Sequence, residues 1–469
     1  MKKNFAFKAF NLALAMILSL SSTVFAQDAN VTKLVEQLQK QMSSMQQTIQ
    51  SQNAKIASLE SSSWEGPAKE VKAPAHTKDE KGEFKKMLEG ELGKDYKTFK
   101  NLKFTGDLRL RYEAFDYTSG SAAETDPQNR FRFRLRTGLE KKFNDEWKAG
   151  FALASGGTTG DVTSTNTTFD SNFIPKDIYI DKAFATYTPN WGKKGPIEKT
   201  EITGGKFKNP FENGSSDMVW DRDVSPEGIY EKFDFRILDT ESIKATGWFT
   251  AGQFVLDEDS GTAGGNADAE LYAYQFGVNP KFKVPGMEKP LGWTSAVSWY
   301  DYSDYAVSSN FGTLARGNTN GTGDATQLDA KDFGVIEFYN ELNIPVAGIP
   351  VRPFVDVARN MSEKAPISSA GGQDMAWALG LTLGKAKEKG EWEVGYTYKN
   401  IEANSVVGAF NDSDFGTGHA DKRGSVFKAK YMVTDFLEAG FTAIFVNNIS
   451  NVLRDEEQRR FQADLVWKW

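Results

Sequence analysis

From Lys103 to the C-terminus, apolar and polar residues alternate with a period of two. Phe104, Gly106, Leu108, Leu110, Tyr112 and Ala114 alternate with Thr105, Asp107, Arg109, Arg111 and Glu113. Phe131, Phe133, Leu135, Thr137 and Leu139 alternate with Arg130, Arg132, Arg134, Arg136 and Gly138. A split of this kind sets a strand between an apolar and a wet environment. The pattern recurs at 147–155, 271–279, 376–384 and 391–399. The final segment sets Phe461, Ala463, Leu465, Trp467 and Trp469 against Arg460, Gln462, Asp464, Val466 and Lys468.

Such segments predict about sixteen strands, centred near 109, 135, 151, 183, 204, 233, 249, 275, 298, 336, 355, 380, 396, 428, 442 and 464. Connections alternate in length. Short ones fall near Asn144, Asp239, Ile349, Glu388 and Thr434. Long polar ones cover 117–129, 157–176, 208–228, 257–268, 303–328, 360–373, 401–423 and 448–458. The connections at 189–199 and 281–290 read as enlarged turns on the short side. Even strand number, short turns at one end, long loops at the other and aromatic strand ends predict an all-β, transmembrane antiparallel β-barrel over 101–469. A soluble sandwich would bury its apolar face against a second sheet and has no use for four inward arginines in a row. No fixed repeat suggests a propeller or solenoid.

The first hundred residues follow other rules. Residues 1–26 read as a signal peptide: Lys2, Lys3 and Lys8 precede an apolar run from Leu12 to Leu20, and Val24-Phe25-Ala26 suits cleavage before Gln27. The run is shorter than the ~20 residues of a spanning helix. Over 27–62 the apolar positions are spaced alternately four and three apart. Val35, Met42, Ile49 and Ile56 take position a, and Val31, Leu38, Met45 and Leu59 take position d, with Gln52 the polar exception. This predicts a periplasmic α-helical coiled coil of roughly 45 Å; the same pattern also fits a lone amphipathic helix. Residues 63–100, with Pro67, Pro74 and the run Lys78-Asp79-Glu80-Lys81, read as a charged linker.

Composition narrows the chemistry. With no cysteine among 469 residues, disulfides, thiolate metal sites and cysteine nucleophiles are excluded. His76 and His419 are too far apart in sequence to suggest a histidine metal cluster, so neither metal nor cofactor is expected. Removing the three signal lysines takes the formal charge from -7 to -10, a poor balance for binding nucleic acid. Asp257-Glu258-Asp259 and Asp412-Ser413-Asp414 lack calcium-loop spacing and read as solvated surface loops. His419, six residues from both Ser413 and Ser425, forms no recognisable nucleophile–base arrangement, so no enzyme is expected.

Two stretches carry a family resemblance. Leu108-Arg109-Leu110-Arg111-Tyr112-Glu113 and Asn129-Arg130-Phe131-Arg132-Phe133-Arg134-Leu135-Arg136 resemble the first hairpin of the putative porins of Gram-negative outer membranes. Ile202-Thr203-Gly204-Gly205-Lys206-Phe207-Lys208-Asn209-Pro210-Phe211 resembles the strand entering their third loop, and Trp220-Asp221-Arg222-Asp223-Val224-Ser225-Pro226-Glu227-Gly228 the segment leaving it. Gly-Lys-Phe-x-x-Pro-Phe also occurs in the phosphate-selective porin group. The resemblance covers roughly 100–469 and departs from the family pattern at the last residue, which is Trp469 where the family usually has Phe.

The resemblance implies an outer-membrane diffusion channel for small hydrophilic solutes and ions, surrounded by lipid. It implies a homo-oligomer, a trimer by analogy with general porins, although the a/d pattern alone favours a dimer. Trp469 would serve the barrel-insertion machinery. With the apolar face toward lipid, Asp107, Arg109, Arg111, Glu113, Arg130, Arg132, Arg134 and Arg136 line the pore. The third long loop would fold inward and set Asp217, Asp221, Asp223 and Glu227 against this wall, giving a transverse field. Two other readings remain at this stage. One is an envelope tether reaching the cell wall through the coiled coil. The other is an adhesin built on the Gly-, Asn- and Thr-rich loop 303–328.

Overall fold

The computed structural model describes residues 101–119, 127–156, 162–193, 195–258, 268–305, 316–318, 333–362, 373–416, 420–449 and 456–469. All belong to one compact unit, Leu92–Trp469. The expected signal peptide, coiled coil and linker lie outside the described residues, as do His76 and His419.

The strands are β1 (Leu102–Ser119), β2 (Gln128–Lys142), β3 (Trp147–Ser155), β4 (Thr167–Thr168), β5 (Ile178–Tyr187) and β6 (Ile197–Lys206). They continue with β7 (Glu227–Asp239), β8 (Ile243–Asp257), β9 (Ala269–Phe282), β10 (Leu291–Ser303), β11 (Phe333–Val346) and β12 (Ile349–Asn360). The last are β13 (Met375–Gly384), β14 (Trp392–Ile401), β15 (Lys422–Met432), β16 (Leu437–Asn448) and β17 (Glu456–Lys468). Setting aside the two-residue β4, sixteen strands run antiparallel, each bonded to its chain neighbour. Each expected strand centre falls inside one of them.

The sheet closes where β17 pairs with β1, in register from Asp107↔Lys468 to Ser119↔Glu456. Closure leaves no free edge, which a sheet in lipid requires because unpaired backbone groups there have no water to bond. The seam ends in a reciprocal backbone pair between Gly106 and Trp469, at 3.1 and 3.2 Å. Gly106 is needed there, because a Cβ would lie 2.6 Å from the Trp469 ring and 2.4 Å from the Arg136 carbonyl oxygen.

The alternating pattern sorts side chains as the sequence requires. On the outer face Phe104 and Phe131 are 63% and 58% exposed, whereas inward Arg111 and Arg134 are buried. Outward aromatics meet across strands, as in Tyr112–Phe131 and Tyr396–Phe427, at 5.1 and 4.8 Å between centroids. Such pairs add roughly 0.2–1 kcal/mol each to the ladder. Short turns are built from local acceptors. Asn144 Oδ1 accepts from the backbone of Glu146 and Trp147 at 2.9 and 2.8 Å. Between β11 and β12, Ala347 and Gly348 both take positive φ, at 49° and 81°, as a two-residue hairpin turn demands.

The inner face departs from a uniformly wet wall. Parts of β8 to β11 present Phe254, Leu271, Tyr300 and Val335 inward, all almost fully buried. Against them pack Phe211, Met218 and Trp220 from the β6–β7 loop and Phe410 from the β14–β15 loop. Phe211 meets Tyr300 edge-on at 5.7 Å, and Trp220 stacks on Phe410 at 5.4 Å. Two long loops therefore share an apolar core inside the barrel. Each large side chain so buried contributes roughly 1.5–3 kcal/mol.

Candidate functional site

The β1–β2 hairpin supplies one wall. Its register sets Arg109 opposite Arg134 and Arg111 opposite Arg132. Like charges facing across a ladder repel, by about 3 kcal/mol at 5 Å in a medium of effective dielectric 20. Carboxylates make the arrangement tenable. Asp107 accepts from Arg134 Nη2 at 2.8 Å and from Arg136 Nε at 2.8 Å. Glu113, fully buried, accepts from Arg130 Nε at 2.7 Å and from Gln462 Nε2 at 2.9 Å. Arg111 donates to both oxygens of Asp464 on β17, from Nε and Nη2 at 2.8 and 2.9 Å. Arg130 and Arg460 both lie over the ring of inward Phe115, at 4.7 and 5.5 Å.

The β6–β7 loop, residues 207–226, turns inward at a pair of glycines. Gly205 and Gly228 are cross-strand partners with φ of +118° and +145°. A Cβ on either would stand 2.2 Å from a neighbouring carbonyl oxygen, that of Ala183 or of Gln253, and L side chains rarely adopt such φ. Polar groups then fasten the loop to the wall. Gln275 Nε2 donates to the Phe211 carbonyl at 2.9 Å, Ser215 Oγ to Glu337 at 2.6 Å, and the Ser216 amide to Asp356 at 2.9 Å. The returning limb carries the acids toward the arginines. Asp223 accepts from Arg136 Nη1 at 3.1 Å and lies 3.9 Å from Arg134 Nη1. Asp217 holds Lys399 at 2.8 Å and Lys428 at 3.2 Å.

The β14–β15 loop, expected on the surface, is instead folded into the barrel. Asn404 through Phe410 are buried, and the Asp221 amide donates to the Phe410 carbonyl at 2.7 Å. Asp412 pairs with Lys399 at 3.1 Å. Asp414 accepts from Arg111 Nη1 and Gln462 Nε2, each at 2.9 Å, and pairs with Arg460. Asn318, in the long polar connection 303–328, is also buried. It donates to the carbonyls of Ala403 and Val406 at 2.7 and 2.8 Å and accepts from the Gly408 amide at 2.9 Å. Among the described residues no group of three or more His, Asp or Glu is arranged to hold a metal.

Charge state follows from these partners. Burial would raise Asp217 and Asp414, but Lys399 with Lys428, and Arg460 with Arg111, hold them well below the usual carboxylate range. Asp221 goes the other way: burial, then the charges of Asp412, Asp223 and Asp414, push it up to about 9.

A cavity of about 1270 Å³ connects these groups. Lys468 and Trp469 line it at the short-turn end, and Asp221, Asp412 and Asp414 line it deeper inside. Not every residue proposed from sequence sits at this gap. Arg134 and Arg136 face Asp223, but Arg130 and Arg132 are directed at Glu113 instead, Arg130 as a close ion pair and Arg132 at 4.0 Å. Glu227 is at the loop's stem, largely exposed and paired with Lys206 at 2.6 Å. Asp464, Arg460, Lys399 and Asp414 were missed. The first three could have been found, since each lies on the polar side of an alternating segment and closure brings β17 beside β1. Asp414 had no such signal.

A family model described as "Putative porin" matches residues 121–333 and 354–453. Among solved structures the chain is similar to Pseudomonas putida OprB at high pH, with 11% identity over 81% of this chain and 97% of that one and a TM-score of 0.49. It is also similar to the outer membrane channel DcaP of Acinetobacter baumannii, with 11% identity over 78% and 97% and a TM-score of 0.42. For an anion-selective porin from Comamonas acidovorans the values are 10%, 78% and 99%, and 0.43. No curated protein matches the chain. With the family match spanning most of the strands of a closed barrel whose outer face is apolar, the chain belongs to the putative porin family of outer-membrane channels.

Proposed function

We propose that the barrel is a passive diffusion channel for small hydrophilic solutes and ions, constricted by the first-hairpin arginines and the inward third loop. The observation that carries this reading is the contact of Asp223 with Arg136 at 3.1 Å across the lumen, at the edge of the cavity. Opposed charges on two separate elements create a field across the gap, and the local charges there govern which ions pass. Arg109, Arg111, Arg134 and Arg136 form one side of the path with Asp107; the charged Asp217 and Asp223 form the other, with Asp221, uncharged at pH 7, beside them. Glu113, Arg130 and Arg132 continue the first side toward the long loops, and Glu227 braces the loop's stem.

Around this channel we place a cleaved signal over 1–26, a periplasmic coiled coil over 27–62 and a linker over 63–100. The assembly is a homotrimer, with Trp469 presented to the insertion machinery at the seam it closes. A liposome-swelling assay with the purified full chain tests the channel. Vesicles in isotonic arabinose should swell, and a heptasaccharide should pass much more slowly. Failure of arabinose to enter vesicles containing heat-modifiable, folded protein would overturn the reading. Arg134→Gln with Arg136→Gln should shift the reversal potential toward cations, and Asp223→Asn toward anions.

A further inference from the structure

The inward arginines of the first hairpin are not equivalent. Arg111, Arg130, Arg134 and Arg136 each hold a carboxylate within about 3 Å. Arg109 holds none. Among the described residues its side chain makes one bond, donated from Nη2 to Asn166 Oδ1. Arg132 approaches a carboxylate no closer than 4.0 Å, and its Nη2 donates to the Asn166 carbonyl at 3.5 Å. The Nε of both is buried without a partner. Two guanidinium groups thus converge on one neutral residue from the β3–β5 connection. Asn166 is itself buried, and Ser164 Oγ accepts from its Nδ2 at 3.2 Å, which turns the carboxamide oxygen toward Arg109.

A carboxamide oxygen has the shape and position of one oxygen of a carboxylate, without the charge. The surrounding acids cannot supply the charge. Glu113 is committed to Arg130, Asp464 to Arg111, Asp107 to Arg134 and Arg136, Asp223 to Arg136, and Asp414 to Arg111 and Arg460. The cluster therefore retains about two units of positive charge, centred on Arg109 and Arg132. Their order along the hairpin is fixed by register, with Arg132 one step nearer the long loops than Arg109. Arg109 and Asn166 line the cavity.

We propose that Arg109 and Arg132 form a two-step site for small oxyanions, and that Asn166 is the specificity-determining residue between them. An incoming carboxylate or phosphate oxygen takes the place of the Asn166 carbonyl or carboxamide oxygen on Arg132, then on Arg109. Each step exchanges a neutral acceptor for a charged one, which adds the attraction of opposite charges to a bond whose donor is already ionised. Asn166 restores the bonds behind the ion, so the site releases it. The inference rests on the channel reading above.

The test uses the full chain in planar bilayers, with potassium acetate replacing potassium chloride on one side. Wild type should prefer acetate to chloride, and Asn166→Asp should lose that preference several-fold, because the added carboxylate cancels about one of the two positive charges and occupies Arg109 while every arginine remains. Arg109→Gln with Arg132→Gln should lose it to a similar degree, and Arg109→Lys should keep most of it. Retained acetate preference in both Asn166→Asp and the double Gln variant would overturn the site, even though the channel conducts. Absence of conductance in wild type would instead overturn the channel reading. Because Asn166→Asp is nearly isosteric, a folded barrel checked by heat-modifiable gel mobility keeps the test decisive if the double variant does not assemble.

Discussion

At the scale of single residues, the lumen works by placing each charge against a chosen partner. Asp221, in the inward third loop, titrates in an accessible range. Its carboxyl is pushed up to about 9, so it is neutral at pH 7 and becomes an anion as pH passes that value. Reversal potential should move toward cations between about pH 8 and 10, and Asp221→Asn should remove that part of the change. The stability sign is opposite to that of a paired carboxylate. The folded value lies above the unfolded one near 3.9, so burying Asp221 costs stability increasingly as pH rises past about 4, until the folded group ionises. A backbone prediction belongs here too. Gly205→Ala places a Cβ 2.2 Å from the Ala183 carbonyl oxygen at a φ of +118°. It should cost about 1–3 kcal/mol and lower the temperature at which the barrel loses its compact gel mobility.

Among the elements, the strands were legible in the sequence and the loops were not. Alternation is imposed by two different environments on the two faces of one strand, so every expected centre, from 109 to 464, lies within a strand. Inward-folding loops carry no comparable period. The third loop could be assigned only through its resemblance to a family, and Gly205 and Gly228, at its stems, are the positive-φ positions on which its inward turn rests. For the β14–β15 loop, Asp412-Ser413-Asp414 has the composition of a solvated turn. Only three-dimensional closure shows that Lys399, Arg111 and Arg460 neutralise it. The segment Val406-Val407-Gly408-Ala409-Phe410 was the available clue, since five small or apolar residues suit a surface loop poorly. Deleting 405–416 should free Arg460, leave Lys399 to Asp217 alone, raise single-channel conductance and shift selectivity toward anions. Trp220→Ala, which removes the stack on Phe410, should loosen both loops and increase open-channel current noise.

For the whole molecule, the seam between β1 and β17 joins structure to site, because it brings Asp464 and Gln462 beside Arg111 and Glu113. A barrel must close, so pairing of the first and last strands was implied by the fold class; its consequence for charge was visible only once the register was known. The formal charge of the chain, -7, says little about ion preference, since the charges along the cavity are nearly balanced and the local excess lies on one hairpin. Screening gives a further expectation. The Debye length is ~10 Å at 0.1 M and ~3 Å at 1 M, so differences in selectivity among the charge variants should shrink as salt is raised. The central claim, that the barrel encloses an open path, is tested most directly by planar-bilayer recording of the purified full chain in potassium chloride. Discrete, stepwise insertions with a reproducible unit conductance and a near-linear current–voltage relation are expected. Folded protein that enters the bilayer without any conductance steps would contradict it.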